Sequence, residues 1–231
     1  MQNLNEHINN PIEMCEKTFS HEDLVCFLEN GNVIEKQYAA LNLDEIRDEH
    51  EARLFITNLV GVDGKIREVV AFRIKFFLEK NADLFLCKEN FDYFKNGTID
   101  IDGNVCRCVI DAVKVLKKNE EFSKYYANSM KDIINIALDE ISKFTFRDKK
   151  YTINKQVFKI YWCLEALINF YEYIDYSELK LILKKCSLLQ EYTVREKCAK
   201  IIKILNCDEE LELLKNQLKN DENYYVRNIF C

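Results

Sequence analysis

An all-α fold assembled from repeating helix pairs follows from two features of this chain. The first is a recurring phrase. It reads Asp63-Gly64-Lys65-Ile66-Arg67, then Asp102-Gly103-Asn104-Val105-Cys106-Arg107. It returns as Glu191-Tyr192-Thr193-Val194-Arg195 and as Asn223-Tyr224-Tyr225-Val226-Arg227. Each copy opens a run of helical periodicity, the mark of an internal repeat. The second feature is scarce punctuation. The 231 residues include 1 proline and 5 glycines, the main helix breakers, so helix is expected along almost the whole chain.

Taken in order, residues 1–30 read as one or two capping helices. Pro11 suits a first helical turn, and Ser20-His21-Glu22-Asp23 is a capping signal. Residues 31–231 read as a repeat array without a compositional break, giving a single domain overall. The aliphatic residue of each phrase can serve as a zero point, with apolar residues sought at +4, +7, +8 and +11 on one helix face. Val105 is followed by Val109, Ala112, Val113 and Leu116, and Val194 by Cys198, Ile201, Ile202 and Leu205. Ile66 is followed by Val70, Ile74 and Phe77, with Arg73 breaking one slot. A copy placed on Val157 gives Tyr161, Leu164 and Ile168, with Glu165 as the break. A copy on Ile34 keeps only Tyr38 and Leu41, and Val226 starts a last one.

Second helices are expected between these. Asp48 to Val60 places Ala52, Phe55, Ile56 and Leu59 on one side, and Asp208 to Leu218 does the same with Leu211, Leu214 and Leu218. Longer partners are expected near Asn81–Lys95 and Glu120–Phe144. Another should run from Tyr176 to about Leu189, capped by Ser177. The unit is a helix–turn–helix of about 32 to 52 residues.

The phrase resembles the start of a HEAT repeat, a member of the armadillo-like group. That family carries an Asp, then Val-Arg, then a small residue. Asp63/Ile66-Arg67/Ala71 and Val194-Arg195/Ala199 match it. In the third unit Cys106 occupies the arginine slot and Arg107 is shifted by one; in the fourth, Phe158 occupies it and Lys159 follows. The resemblance covers residues 31–231. It implies a right-handed α-solenoid of about five to six helix pairs, with second helices lining a concave face. It also implies that Arg67, Arg107, Arg195 and Arg227 pair with acids of neighbouring turns, for which Asp63, Asp102, Glu191 and Asp221 are available.

Composition narrows function. The net charge is -6, with pI near 5.3, which argues against nucleic acid as the partner. No stretch approaches ~18 apolar residues, so no membrane span is expected. The start MQNLNEHINN does not read as a signal peptide. The 10 cysteines are irregularly spaced and mostly set among apolar neighbours, as Cys26, Cys163 and Cys198 are. They read as reduced, buried thiols of a cytoplasmic protein.

The dipeptides His21-Glu22 and His50-Glu51 resemble the iron-holding pairs of deoxyhypusine hydroxylase, a HEAT-repeat enzyme family. With 3 histidines, none after His50, its symmetric site of four dipeptides cannot be built, so no metal or cofactor is expected. Phosphate-loop, Gly-x-Ser-x-Gly and H-E-x-x-H motifs are missing.

The expected role is a non-enzymatic scaffold or adaptor that binds another protein. Candidate contact residues are Arg53, Thr57 and Asn58, opposite the apolar stripe of the second helix of the first unit. Trp162, Tyr171 and Tyr173, in an aromatic stretch where Tyr161 falls on the core stripe, are candidates for a surface cluster, against core or inter-repeat packing as the more usual place for such a stretch. Two alternatives remain: an acidic inhibitor or immunity-type protein, and a HEAT-like enzyme such as a bilin lyase. Ile229 and Phe230 would lie exposed at an open repeat face and could mediate self-association.

Overall fold

Short polar side chains set the helix starts. In the computed structural model, which describes residues 7–143 and 146–231 (146–149 in backbone only), the described chain is helical and contains no strand. The first helices are α1 (Pro11–Glu16), α2 (His21–Asn30), α3 (Val33–Asn42), α4 (Glu49–Thr57) and α5 (Gly64–Asn81). They are followed by α6 (Lys88–Thr98), α7 (Gly103–Val113), α8 (Glu120–Ser142) and α9 (Phe146–Phe170). The last are α10 (Tyr176–Ser187), α11 (Tyr192–Ile204), α12 (Glu209–Lys219) and α13 (Tyr224–Arg227). Ser20 and Asp23 form the capping box read from the sequence. Asp48, Asp63, Asp102, Asp208 and Asn223 likewise accept backbone N–H bonds of the first turn. Each such cap contributes about 1 kcal/mol.

The chain divides into two compact units, Met1–Lys118 and Asn119–Cys231. In the first, α2 packs on α4 and α4 on α6, while α3 packs on α5 and α5 on α7. In the second, α8 packs on α10 and α10 on α12, while α9 packs on α11 and α11 on α13. Each unit is therefore two layers of helices, with α2/α3 and α6/α7 pairing across the layers in one and α8/α9 and α10/α11 in the other. The core lies between layers. Val70, Ile74 and Phe77 of α5 and Val109, Ala112 and Val113 of α7 are buried, as are Cys198, Ile201 and Ile202 of α11. Full burial of one such aliphatic or Phe side chain contributes roughly 1.5–3 kcal/mol. Gly97 lets α6 approach closely, since a Cβ there would sit 3.0 Å from both Leu59 and Val109.

The structure corrects several boundaries. The helix expected over Asn81–Lys95 is split: a 3-10 turn, Ala82–Phe85, precedes α6. Asp175 rather than Ser177 caps α10, because its carboxylate reaches the N–H groups of Ser177 and Glu178. No turn opens at Val157, which lies inside the 25-residue α9. There the buried face runs through Ile153, Ile160, Cys163, Leu164, Leu167 and Phe170, a different register from Tyr161 and Ile168. In α3 the buried face holds Glu35, Ala39 and Ala40, and Leu41 is exposed. The expected helix end at Phe144 lies outside the described residues.

Candidate protein-binding groove

The recurring arginine builds each turn. Arg67 Nη1 donates to the carbonyls of Gly61 (2.6 Å) and Val62 (3.2 Å). Its Nε and Nη2 hold Asp100, at 2.7 and 3.3 Å. Arg195 repeats this, with Nη1 on Leu189 O (2.9 Å) and Gln190 O (2.7 Å), and Nε and Nη2 on Asp221 at 2.7 and 3.0 Å. One side chain thus locks its own turn and bridges to the turn of the next helix in its layer. In each case the acid stands two residues ahead of a cap and also accepts the cap's own N–H, from Asp102 or Asn223. For Arg67 the acid is Asp100, not Asp63 or Asp102, because those two are occupied as caps. Glu191 is a cap as well. Cys106 replaces the arginine in kind: its thiol donates to Asp100 O at 3.1 Å, again six residues back. Arg107 is exposed. Gly61, at φ 138°, is the one described position in the left-handed region, and it turns its carbonyl toward Arg67.

These pairs are side chains of structure rather than of a site. The Arg195 guanidinium holds the Asp221 carboxyl below its ordinary range, against the opposing effect of burial. The histidine dipeptides are also tied up: His21 Nε2 lies 2.8 Å from Glu51 Oε1, and Glu22 pairs with Arg47. His50 is exposed. Among the described residues no three His, Cys, Asp or Glu side chains gather as a metal site.

The sequence-expected contact residues fall in different surroundings. Thr57 and Asn58 line a cavity of about 510 Å³ in the first unit, together with Lys36, Val60 and Asp63. The Asn58 amide is committed there: it donates to Leu28 O and Leu54 O and accepts from Lys36 Nζ. Thr57 bonds Leu54 O. Arg53 is exposed and does not line that cavity. Trp162 is buried, not at the surface, because the register of α9 turns it inward; the half-exposed aromatic is Tyr161. Tyr171 and Tyr173 are half-buried in a 3-10 turn after α9. Ile229 and Phe230 are half-buried rather than exposed.

The second unit carries a further recess. A cavity of about 410 Å³ is lined by Ile141, Ile153, Asn154, Val157, Leu189, Gln190 and Glu191. It shares Asn154, Val157 and Glu191 with a second, of about 370 Å³, that adds Phe158, Tyr161 and Thr193. Together they form one groove between α9 and the start of α11. Its wall is stiffened from behind, where Trp162 meets Tyr161 edge-on at 4.9 Å and Phe158 at 6.0 Å. Beside it, buried Lys197 pairs with Glu165 at 2.7 Å and lies 4.6 Å from the Tyr161 ring centre. Burial pushes the Lys197 pKa down, but Glu165 outweighs it and the amine is held charged. The groove has aliphatic and aromatic residues at its floor and Asn154, Gln190, Glu191 and Thr193 at its rim. Sequence reading missed this groove because it placed Tyr161 in the core.

No family model matches this chain. No curated protein matches it. Among solved structures, an engineered protein determined by the Northeast Structural Genomics Consortium is similar over 92% of this chain and 94% of its own. The identity is 11% and the TM-score 0.47. No described helix is long and apolar enough to cross a membrane.

Proposed function

We propose that this chain is a non-enzymatic protein-binding scaffold of the HEAT-repeat kind, with a right-handed solenoid arrangement and a groove between α9 and α11 as its docking surface. The groove's aromatic and aliphatic floor, over two adjoining cavities, is the observation that carries the reading. The two-layer packing within each unit and the repeated arginine bridge support the repeat architecture. Ten free cysteines suit a reducing compartment such as the cytoplasm.

Chemistry in the groove's neighbourhood favours binding over catalysis. A covalent lysine catalyst needs an amine that readily loses its proton, and Lys197 is held in the opposite sense. Activated thiols need a depressed pKa, whereas burial raises that of Cys198 on α11, the helix whose start borders the groove.

A photo-crosslinking residue placed at Val157 tests the assignment against the same probe at exposed Leu213 of α12. The reading expects one recurrent protein adduct from Val157 and none from Leu213. Equal adducts from both positions would overturn it.

A further inference from the structure

Three neighbouring turns of the first unit each show an aliphatic side chain to solvent. Val33 opens α3 and is 39% exposed, Val62 ahead of α5 is fully exposed, and Ile101 ahead of α7 is 83% exposed. The turns adjoin: a cavity of about 510 Å³ lies between those of α3 and α5, and Arg67 ties the α5 turn to Asp100 in the α7 turn. Leu28, Leu54, Val60 and Ile66 line that cavity with Val33 and Val62. The turn itself does not call for aliphatic residues. Val62 and Ile101 stand one place ahead of the caps Asp63 and Asp102, and at the same place the turns of α11 and α13 carry Gln190 and Glu222. Asp63 and Asp102 each cap through Oδ1, and their Oδ2 atoms make no hydrogen bond or ion pair among the described residues. The complementary pattern lies on α10. Leu181 and Leu188 are 52% and 76% exposed and stand seven residues apart. Lys185 lies between them on the same face, exposed and without an ion pair among the described residues. Lys184 beside it is taken by Glu210.

We propose that this chain self-associates head to tail, with α10 of one copy docked along the turns of α3, α5 and α7 of a second copy. Residues seven apart on a helix are about 10.5 Å apart along its axis, and neighbouring helices of a layer lie about 8–10 Å apart. One leucine therefore enters the cavity beside Val62 while the other covers Ile101. Lys185 between them meets the free oxygen of Asp63 or Asp102, so that apolar faces apolar and cation faces carboxylate. The cations of the edge itself do not compete there: Lys36, in the cavity wall, is turned to Asn58, and Arg67 is closed by Asp100. The α5 turn is already fixed by Arg67, so docking orders little backbone. The two surfaces are unlike, so the contact extends as a chain or closes as a ring.

Sedimentation velocity of the full chain tests this. The wild-type protein should grow in mass between about 1 μM and 1 mM, and less so in high salt. Two variants carry the argument: an edge variant, Val62→Ser with Ile101→Ser, and a helix variant, Leu181→Ser with Leu188→Ser. All four side chains are exposed, so both variants should keep the wild-type circular dichroism. Each alone should be monomeric. Mixed, they should form a dimer and nothing larger, because one intact edge then meets one intact helix. Asp63→Asn with Asp102→Asn, which keeps the caps and removes the charge, should weaken association at least about tenfold. Three results would overturn the proposal: a wild-type monomer at about 1 mM, association kept in full by either double-serine variant, or a mixture of the two that stays monomeric. Val157 of the groove belongs to neither surface, so failure here leaves that reading standing.

Discussion

Arg195 and Asp221 form a nearly enclosed pair, each side chain 9% exposed. Removing one partner leaves the other charge buried and unpaired, which costs about 3–5 kcal/mol. Arg195→Ala should therefore lose most of that in urea unfolding, and Arg195→Lys should lose part, since an ammonium cannot replace the fork. The pH dependence follows in sign. Asp221 is held below its ordinary value by Arg195, so its contribution is complete above about pH 4, where an unfolded aspartate ionises. It is lost as pH falls through the depressed value. Unfolding curves taken from pH 6 down to about pH 2 should show this loss, and Asp221→Asn should remove its share. Thiol reactivity separates buried from exposed cysteines: Cys15 and Cys231 should label in the native protein, while Cys106, Cys163, Cys186 and Cys198 should wait for unfolding. Mass-spectrometric mapping of alkylated sites reads this directly.

Helix α6 is pinned between α4 and α7 by the missing side chain of Gly97. In an open helix Gly→Ala would add about 1 kcal/mol of stability. Here the new methyl meets Leu59 and Val109 in a filled core, and overpacking costs about 1–3 kcal/mol. Gly97→Ala should thus be neutral to destabilising and Gly97→Val clearly destabilising, measured as a drop in Tm. The elements also show what sequence can and cannot reveal. Helix starts were legible at Ser20, Asp63 and Asp102, whose side chains reach the first-turn N–H groups, but at α10 the adjacent Asp175 and Ser177 both suit a cap and the sequence did not decide between them. The register of α9 was not, because its long aromatic run satisfies two helix faces at once. Only packing against α8 and α11 decides that Trp162 turns in and Tyr161 faces the groove.

Across the chain, one device recurs in each compact unit: an arginine fixes its own turn and reaches an aspartate in the next. The arginines were visible as a row in the sequence, and Asp221, which holds Arg195, was among the acids read as partners; the partner of Arg67, Asp100, was hidden behind the more conspicuous cap Asp102. The groove between α9 and α11 was hidden for a related reason. It is made by residues of α9 and the α10–α11 turn that stand more than thirty positions apart along the chain. Capture of a protein by this groove is the central proposal. The direct measurement is affinity capture from native extract with the wild-type chain, Val157→Glu and Asn154→Arg, quantified by mass spectrometry at low and high salt, with circular dichroism as the check on folding. The account predicts one recurrent partner on the wild-type chain, lost from both variants while their helix content is unchanged. Equal retention of the same proteins by folded variants, or a small molecule retained in place of any protein, would contradict it.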